Sequence, residues 1–195
     1  MHELKGHQST AHCTDILVAE HEVIGSVLGA VESELDRVAI GAAIDNHFWK
    51  GALDFFATFA DRCHHGKEED LLFPALGAAG LPIDGGPVPC LLAEHEQGRC
   101  QIKAMRAAVD SSDRGGLEAA GREYCAMLRE HIDKENNVLF ALARKLISPE
   151  ASARVLEGFQ RHEHDDLKEG THQRYLALAK ELCQRTGASF HGPSS

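Results

Sequence analysis

The chain has 195 residues, 43% of them hydrophobic, and a formal net charge of -10 from 30 acidic against 20 basic side chains. This length and composition suit one domain with a full-sized core, and the acidic balance disfavours nucleic acid and anionic membrane surfaces as partners. No apolar run approaches the roughly 20 residues that span a bilayer.

Residues 1–12, MHELKGHQSTAH, are polar and lack the apolar stretch of a secretory signal. They are expected to be a flexible N-terminus. A first helix follows, with Leu17, Ile24, Leu28, Val31 and Leu35 at helical spacing and His21 in the slot between Leu17 and Ile24. A weak break near Gly41 to Asn46 leads to a second helix marked by Leu53, Ala57, Ala60 and Leu71, with His64 and Glu68 in its vacant slots. The Gly- and Pro-rich GAAGLPIDGGPVP, 77–89, ends it. Val88, Leu91, Ile102, Met105 and Val109 mark a third helix that contains His95. After the polar turn DSSDRGG, 110–116, a fourth carries Tyr124, Leu128, Val138 and Leu142, with His131 and Glu135 on the same stripe. Ser148 is a natural N-cap and Pro149 a natural first residue for a fifth helix over 150–186, with Val155, Phe159, Leu167, Leu178 and Leu182. Residues 188–195 are expected to be a flexible tail. No stretch alternates like a strand. The expected fold is all-α, an up-down-up-down four-helix bundle with an additional C-terminal helix, forming one domain over 13–187.

The chain repeats itself. HHGKEEDLLF, from His64, and HIDKENNVLF, from His131, agree at the His, the Lys, the Glu, the second Leu and the Phe; AEHEVIG, 19–25, is echoed by AEHEQG, 93–98. Each half, 13–77 and 87–147, therefore reads as a helical hairpin with a lone His on one helix and His-x-x-x-Glu on the other. Residues four apart share a helical face, so both pairs can point into one seam. A buried carboxylate needs a partner, and no Lys or Arg occupies the seam slots beside Glu68 or Glu135. A shared cation would satisfy them all. Four His and two Glu exceed the four ligands of structural zinc and fit two metal ions with bridging carboxylates. The expected ligands are His21, His64, Glu68, His95, His131 and Glu135. Imidazole and carboxylate favour iron, with manganese or zinc as substitutes. His65 and Glu69 have the same spacing but fall about 100° around an α-helix from that face, and are expected to be a solvated pair.

These motifs resemble the hemerythrin-like HHE cation-binding family over about residues 14–145: a lone His21, then His64 to Pro74, then a lone His95, then His131 to Glu135. The resemblance implies an oxo- or hydroxo-bridged di-iron centre in a four-helix bundle, with His21, His64, His95 and His131 supplying imidazoles and Glu68 and Glu135 bridging. It implies O2 or a related small diatomic or peroxide ligand as the partner. One departure stands out. Oxygen carriers of the family have a second His one turn after the lone His of the third helix, and Arg99 stands there. Either a solvent position is open or another residue fills it; His162 on the fifth helix could approach, but a role outside the ligand set or at the surface is expected of it, and His164 and His172 are weaker candidates. A ferritin-like site would need two Glu-x-x-His motifs, and only Glu169 with His172 fits.

The resulting expectation is a non-haem di-iron protein binding O2 for sensing, storage or delivery. Phe48, Phe55, Phe56 and Phe59 are candidates for an apolar pocket wall. The alternatives are a di-iron redox enzyme acting on peroxide, nitric oxide or ferrous iron, with Tyr124 near the site, and an iron- or redox-responsive module using Cys63, Cys90 or Cys100. The six Cys contain no CxxC and are read as reduced thiols in a cytoplasmic protein.

Overall fold

The computed structural model describes residues 11–167 and 170–192. Every regular element among them is helical. Helix α1, Cys13–Ala39, opens with a capping box: the His12 ring accepts from Thr14 N–H, and the Asp15 carboxylate accepts from His12 N–H. It ends before Gly41, whose φ of 98° turns the chain. Asp45 caps α2, Asn46–Phe55, by accepting from the N–H groups of His47 and Phe48.

From α2 the helix runs on unbroken, π-helical over Phe56–His65 and again over Glu68–Leu72, into α3, Phe73–Ala78. Helix α4, Pro87–Ser111, has both its prolines, Pro87 and Pro89, in the first turn, where no N–H is missed. Asp113 caps α5, Arg114–Lys134, which continues through a π-helical Glu135–Leu139 into α6, Phe140–Leu146. Four helical rods result, each carrying one of the expected histidines: α1, α2 to α3, α4, and α5 to α6.

The expected C-terminal helix is two helices, α7, Pro149–Leu167, and α8, Thr171–Thr186. Gly170, with φ of 83°, precedes α8 and cannot continue a helix in that conformation. Helix α4 packs along α5, and α1 against both α5 and α8. The chain beyond 187 was expected to be flexible, yet 188–192 lie against the body: Ala188 and Phe190 pack on the core, and His191 N–H donates to Ser26 Oγ at 2.8 Å. Residues 1–10 and 193–195 lie outside the described residues. No helix among the described residues is long and apolar enough to cross a membrane.

The core divides into two apolar clusters. One gathers Ile24, Ala60, Ile102 and Leu128, the other Leu17, Leu72, Leu91 and Leu139. Each rod contributes to both, so each crosses a gap between them. His21, His64, Glu68, His95, His131 and Glu135 fill that gap, and all are buried. The stripes expected on α1 and α4 are buried throughout. On the fourth rod Val138 is exposed and Leu139, Phe140 and Ala143 face inward instead. The π-helical turn at 135–139 adds a residue per turn and shifts the phase of everything after it.

Candidate metal centre

The gap is polar because the sequence places six ionisable side chains where packing wants apolar ones. His21 Nε2 lies 3.2 Å from Glu135 Oε2, and His131 Nε2 3.3 Å from Glu135 Oε1. His64 Nε2 is 3.8 Å from Glu68 Oε1, and His95 Nε2 3.6 Å from Glu68 Oε2. Each carboxylate thus offers one oxygen to each of two imidazole pairs. The rings of a pair also meet, His21 and His64 at 2.9 Å between Nε2 atoms, His95 and His131 at 3.1 Å. The six expected residues are brought together from four rods.

The outer edges of the imidazoles are committed elsewhere. His64 Nδ1 donates to Glu20 at 2.9 Å, His131 Nδ1 to Glu94 at 2.9 Å, His95 Nδ1 to Glu69 at 2.7 Å and His21 Nδ1 to Asn136 at 2.9 Å. The three carboxylates have no proton to give, and the Asn136 contact is through its oxygen, so each ring carries its hydrogen on Nδ1 and turns a lone pair inward. Inside they meet Glu68 and Glu135, both 0% exposed, none of whose oxygens has a hydrogen-bond donor. Inward lone pairs and donor-less carboxylate oxygens, all in one dry gap, are a donor set that fits a cation and little else. Burial and the neighbouring Glu135 push the Glu68 carboxyl well above the usual range. Burial, followed by the proximity of His21, lowers His64 to about 4, so its imidazole is neutral, as ligation requires.

These outer partners repeat with the sequence. Glu20 precedes His21 and holds His64; Glu94 precedes His95 and holds His131. Asn136 follows Glu135 and holds His21; Glu69 follows Glu68 and holds His95. Even the lysines of the two motifs match, Lys67 bonding Glu20 and Lys134 bonding Glu94. The signal was present in the repeated AEHE and in the shared Lys of the longer motif, but spacing alone did not show that these groups would reach across to another rod's ring. Lys67 is buried beside Glu68 yet turned away from it, toward Glu20 and Glu163. Against its burial, the bond from His64 and the charge of Lys67 hold Glu20 down at about 2.

The expectation of a solvated His65–Glu69 pair fails. His65 is 5% exposed and stacks on His95, with 3.8 Å between centroids and 12° between planes. Glu69 serves His95 and Arg99 instead. In an α-helix His65 would face about 100° away from His64, but the π-helical turn at 56–65 brings neighbours closer in azimuth, so Cys63, His64 and His65 are all buried.

His162 is not in the centre; its Nε2 lies 3.0 Å from the carbonyl of Arg62, which accepts from it. The side chain of His164 and all of Glu169 lie outside the described residues. His172 joins Glu20, Cys63 and Glu163 in a second cluster of metal-binding side chains, but the Lys67 ammonium bonds both of its carboxylates and supplies the positive charge there. Burial pushes the Cys63 thiol up to about 12, which makes it a poor thiolate.

Two phenylalanines face the imidazoles. Phe140 stacks parallel to His21 at 5.5 Å, and Phe73 parallel to His95 at 6.2 Å. They are the shared final residue of the two repeated motifs. The expected wall of Phe48, Phe55, Phe56 and Phe59 lies in the larger apolar cluster. A small cavity of about 10 Å³, near the size one water needs, lies beside His65, His95, His131, Gly98 and Tyr124.

Residues 12–143 match the family model of the hemerythrin HHE cation-binding domain. No curated protein and no solved structure matches the chain. The match spans well over half of the sequence, and the chain belongs to the hemerythrin HHE cation-binding family.

Proposed function

We propose that this member of the hemerythrin HHE family holds two iron ions and binds O2, or a related small ligand, reversibly in the cytoplasm. On this reading the four rods form the family's up-down-up-down bundle. His21 and His64 would hold one ion, His95 and His131 the other, and Glu68 and Glu135 would offer oxygens to both. The observation that carries it is the pair of fully buried carboxylates without a donor, faced by four imidazoles whose Nδ1 atoms are all hydrogen-bonded outward. Bound iron would supply electrons and an exchangeable position for the small ligand.

The chain's own residues do the rest. Glu20, Glu69, Glu94 and Asn136 fix each ring's tautomer and direction, as the outer partners of metal-bound histidines commonly do. Phe73 and Phe140 and the two apolar clusters keep bulk water from the gap. A dry, pre-oriented site favours binding and release over side reactions with solvent.

The test is anaerobic loading with ferrous iron, exposure to O2, then removal of O2, followed optically. A new absorption band that appears with O2 and fades on its removal supports reversible binding. Iron that oxidises on exposure with no lasting band points to the redox-enzyme reading.

A further inference from the structure

Glu68 and Glu135 are 0% exposed and have an apolar cluster on either side of them along the rods. Carrying a bare charge through either cluster would cost far more than passing it along polar side chains. An ion that reaches the centre therefore comes in sideways, between rods, and the sides are not closed alike.

On the side of α1 the outer partners lie under whole helices. Lys67 is 0% exposed and Glu20 3%, with Glu163 of α7 and His172 of α8 beside them. Both helices lie beyond the residues that match the family model. On the side of α4 the cover is made of side chains. Asp61 is 23% exposed, Glu69 26% and Arg99 30%. Arg99 reaches from α4 to the second rod: its Nε donates to Asp61 at 2.8 Å and its Nη2 to Glu69 at 2.7 Å, while its Nη1 lies 3.6 Å from Glu96. The Glu69 oxygen that accepts from Arg99 also accepts from His95 Nδ1, so the guanidinium stands one atom away from a ring of the centre. The other half does not repeat this bridge. The counterpart of Arg99 on α1 is Gly25, and that of Asp61 on the fourth rod is Leu128.

The cavity of about 10 Å³ is lined by Arg99, Asp61 and Glu94 together with the rings of His95 and His131. Space thus exists between the surface groups and the inner ones where the second rod, α4 and α5 meet. The chemistry of this mouth suits a divalent cation. Asp61, Glu69, Glu94 and Glu96 outnumber Arg99 and Lys134, the cations paired with them, and an excess of carboxylates draws a cation in. The guanidinium keeps its charge at any working pH and stands where that cation would pass.

We propose that divalent metal enters and leaves the centre through the crevice where the second rod, α4 and α5 meet, and that Arg99 is the latch that closes it. Swinging Arg99 aside frees Asp61 and Glu69 to pass an ion inward to His95 and His131. Its return puts a fixed positive charge back at the mouth. The inference rests on the cation reading of the gap above and not on O2 binding.

The test follows cobalt(II), whose visible absorption reports binding, as it enters the metal-free full chain and as it leaves the loaded chain for excess EDTA. Arg99→Gln should speed both uptake and release by about tenfold or more, because opening then breaks fewer charge-assisted hydrogen bonds, one of which is worth about that factor. The final cobalt per chain should not change. Arg99→Lys keeps the charge without the fork; it should fall between, and it serves should the glutamine variant fail to fold. Gly98→Ala works in the opposite direction. Its methyl would meet Met127 Cε at 3.4 Å and Tyr124 Cε2 at 3.5 Å, ordinary contacts that preserve the fold and take up space in the cavity, so uptake and release should both slow. Faster release with unchanged uptake in Arg99→Gln would show that Arg99 only steadies His95 through Glu69, and would overturn the latch. Rates indifferent to all three substitutions would overturn it too, and would leave the cation reading intact as long as the unaltered chain binds cobalt. An unaltered chain that binds none would overturn both.

Discussion

At the scale of single residues, the two halves of the centre have the same bonds in different surroundings. Glu20 is buried against the buried Lys67, whereas Glu94 bonds a Lys134 that is 45% exposed. Removing Glu20 leaves the buried Lys67 with only the partly exposed Glu163, and breaking a buried pair costs up to about 3–5 kcal/mol; an exposed pair contributes ~1 kcal/mol or less. Glu20→Ala should therefore lower chemical-denaturation stability strongly and Glu94→Ala slightly, while both weaken metal binding by roughly 10- to 100-fold through the freed imidazole. Equal stability losses in the two variants would contradict this account. Glu68→Gln should behave in the opposite way. It removes carboxylate repulsion from a dry gap, so the metal-free protein should melt at a higher temperature than the unaltered one while losing metal-induced stabilisation. That six ionisable residues would meet in one buried gap was legible because His-x-x-x-Glu occurs twice at matched depth. Glu69 and Asn136 were not, because a residue that bonds a ring on another rod leaves no local periodicity.

At the scale of elements, the π-helical turns explain the main departures from simple helical reading. An α-helical phase carried past Glu135 puts Val138 inside; the wider turn puts Leu139 and Phe140 there. The same geometry turns His65 inward. Helix starts were more readable, because their chemistry is local: Ser148 and Pro149 open α7 as expected, with Ser148 Oγ accepting from Ala151 N–H at 3.3 Å. Asp45 caps α2 and also bonds Arg185 of α8, and despite slight burial these bonds lower its pKa. A lowered carboxyl contributes stability that is present above the ordinary carboxylate pKa and lost as pH falls through the lowered one. Asp45→Ala should cost about 1 kcal/mol at neutral pH, and the difference from the unaltered protein should shrink in acid, as read by thermal melts across pH. Packing between elements is tight where α1 meets α5: a Cβ on Gly121 would stand 2.9 Å from Leu35 Cδ2, on a side chain with no exposure. Gly121→Ala should destabilise by about 1–3 kcal/mol through overpacking, and an unchanged melting temperature would show that Leu35 can move aside.

At the scale of the whole molecule, a polar layer separates two apolar clusters, and every rod crosses it. The periodicity made the helices and their apolar faces legible, and the duplication made the layer legible. The division of the C-terminal segment at Gly170 was missed because a single glycine between two periodic stretches carries little signal, and the docking of 188–192 because two apolar residues, Ala188 and Phe190, and one backbone bond to Ser26 make no periodicity. Without a cation the layer holds two carboxylates in the middle of the core, so the metal contributes to folding itself. Chelation should lower the melting temperature and raise hydrogen exchange first in the π-helical segments 56–65, 68–72 and 135–139, which carry His64, Glu68 and Glu135. Uniform protection with and without metal would separate the centre from the stability of the fold.

The most direct measurement is the iron content of the anaerobically loaded, desalted protein, compared with Glu68→Gln and Glu135→Gln. Two irons per chain, falling in both variants because each carboxylate turns one oxygen toward each imidazole pair, is the predicted result. One metal ion per chain, or two that survive the loss of either carboxylate, would contradict a shared two-metal cage.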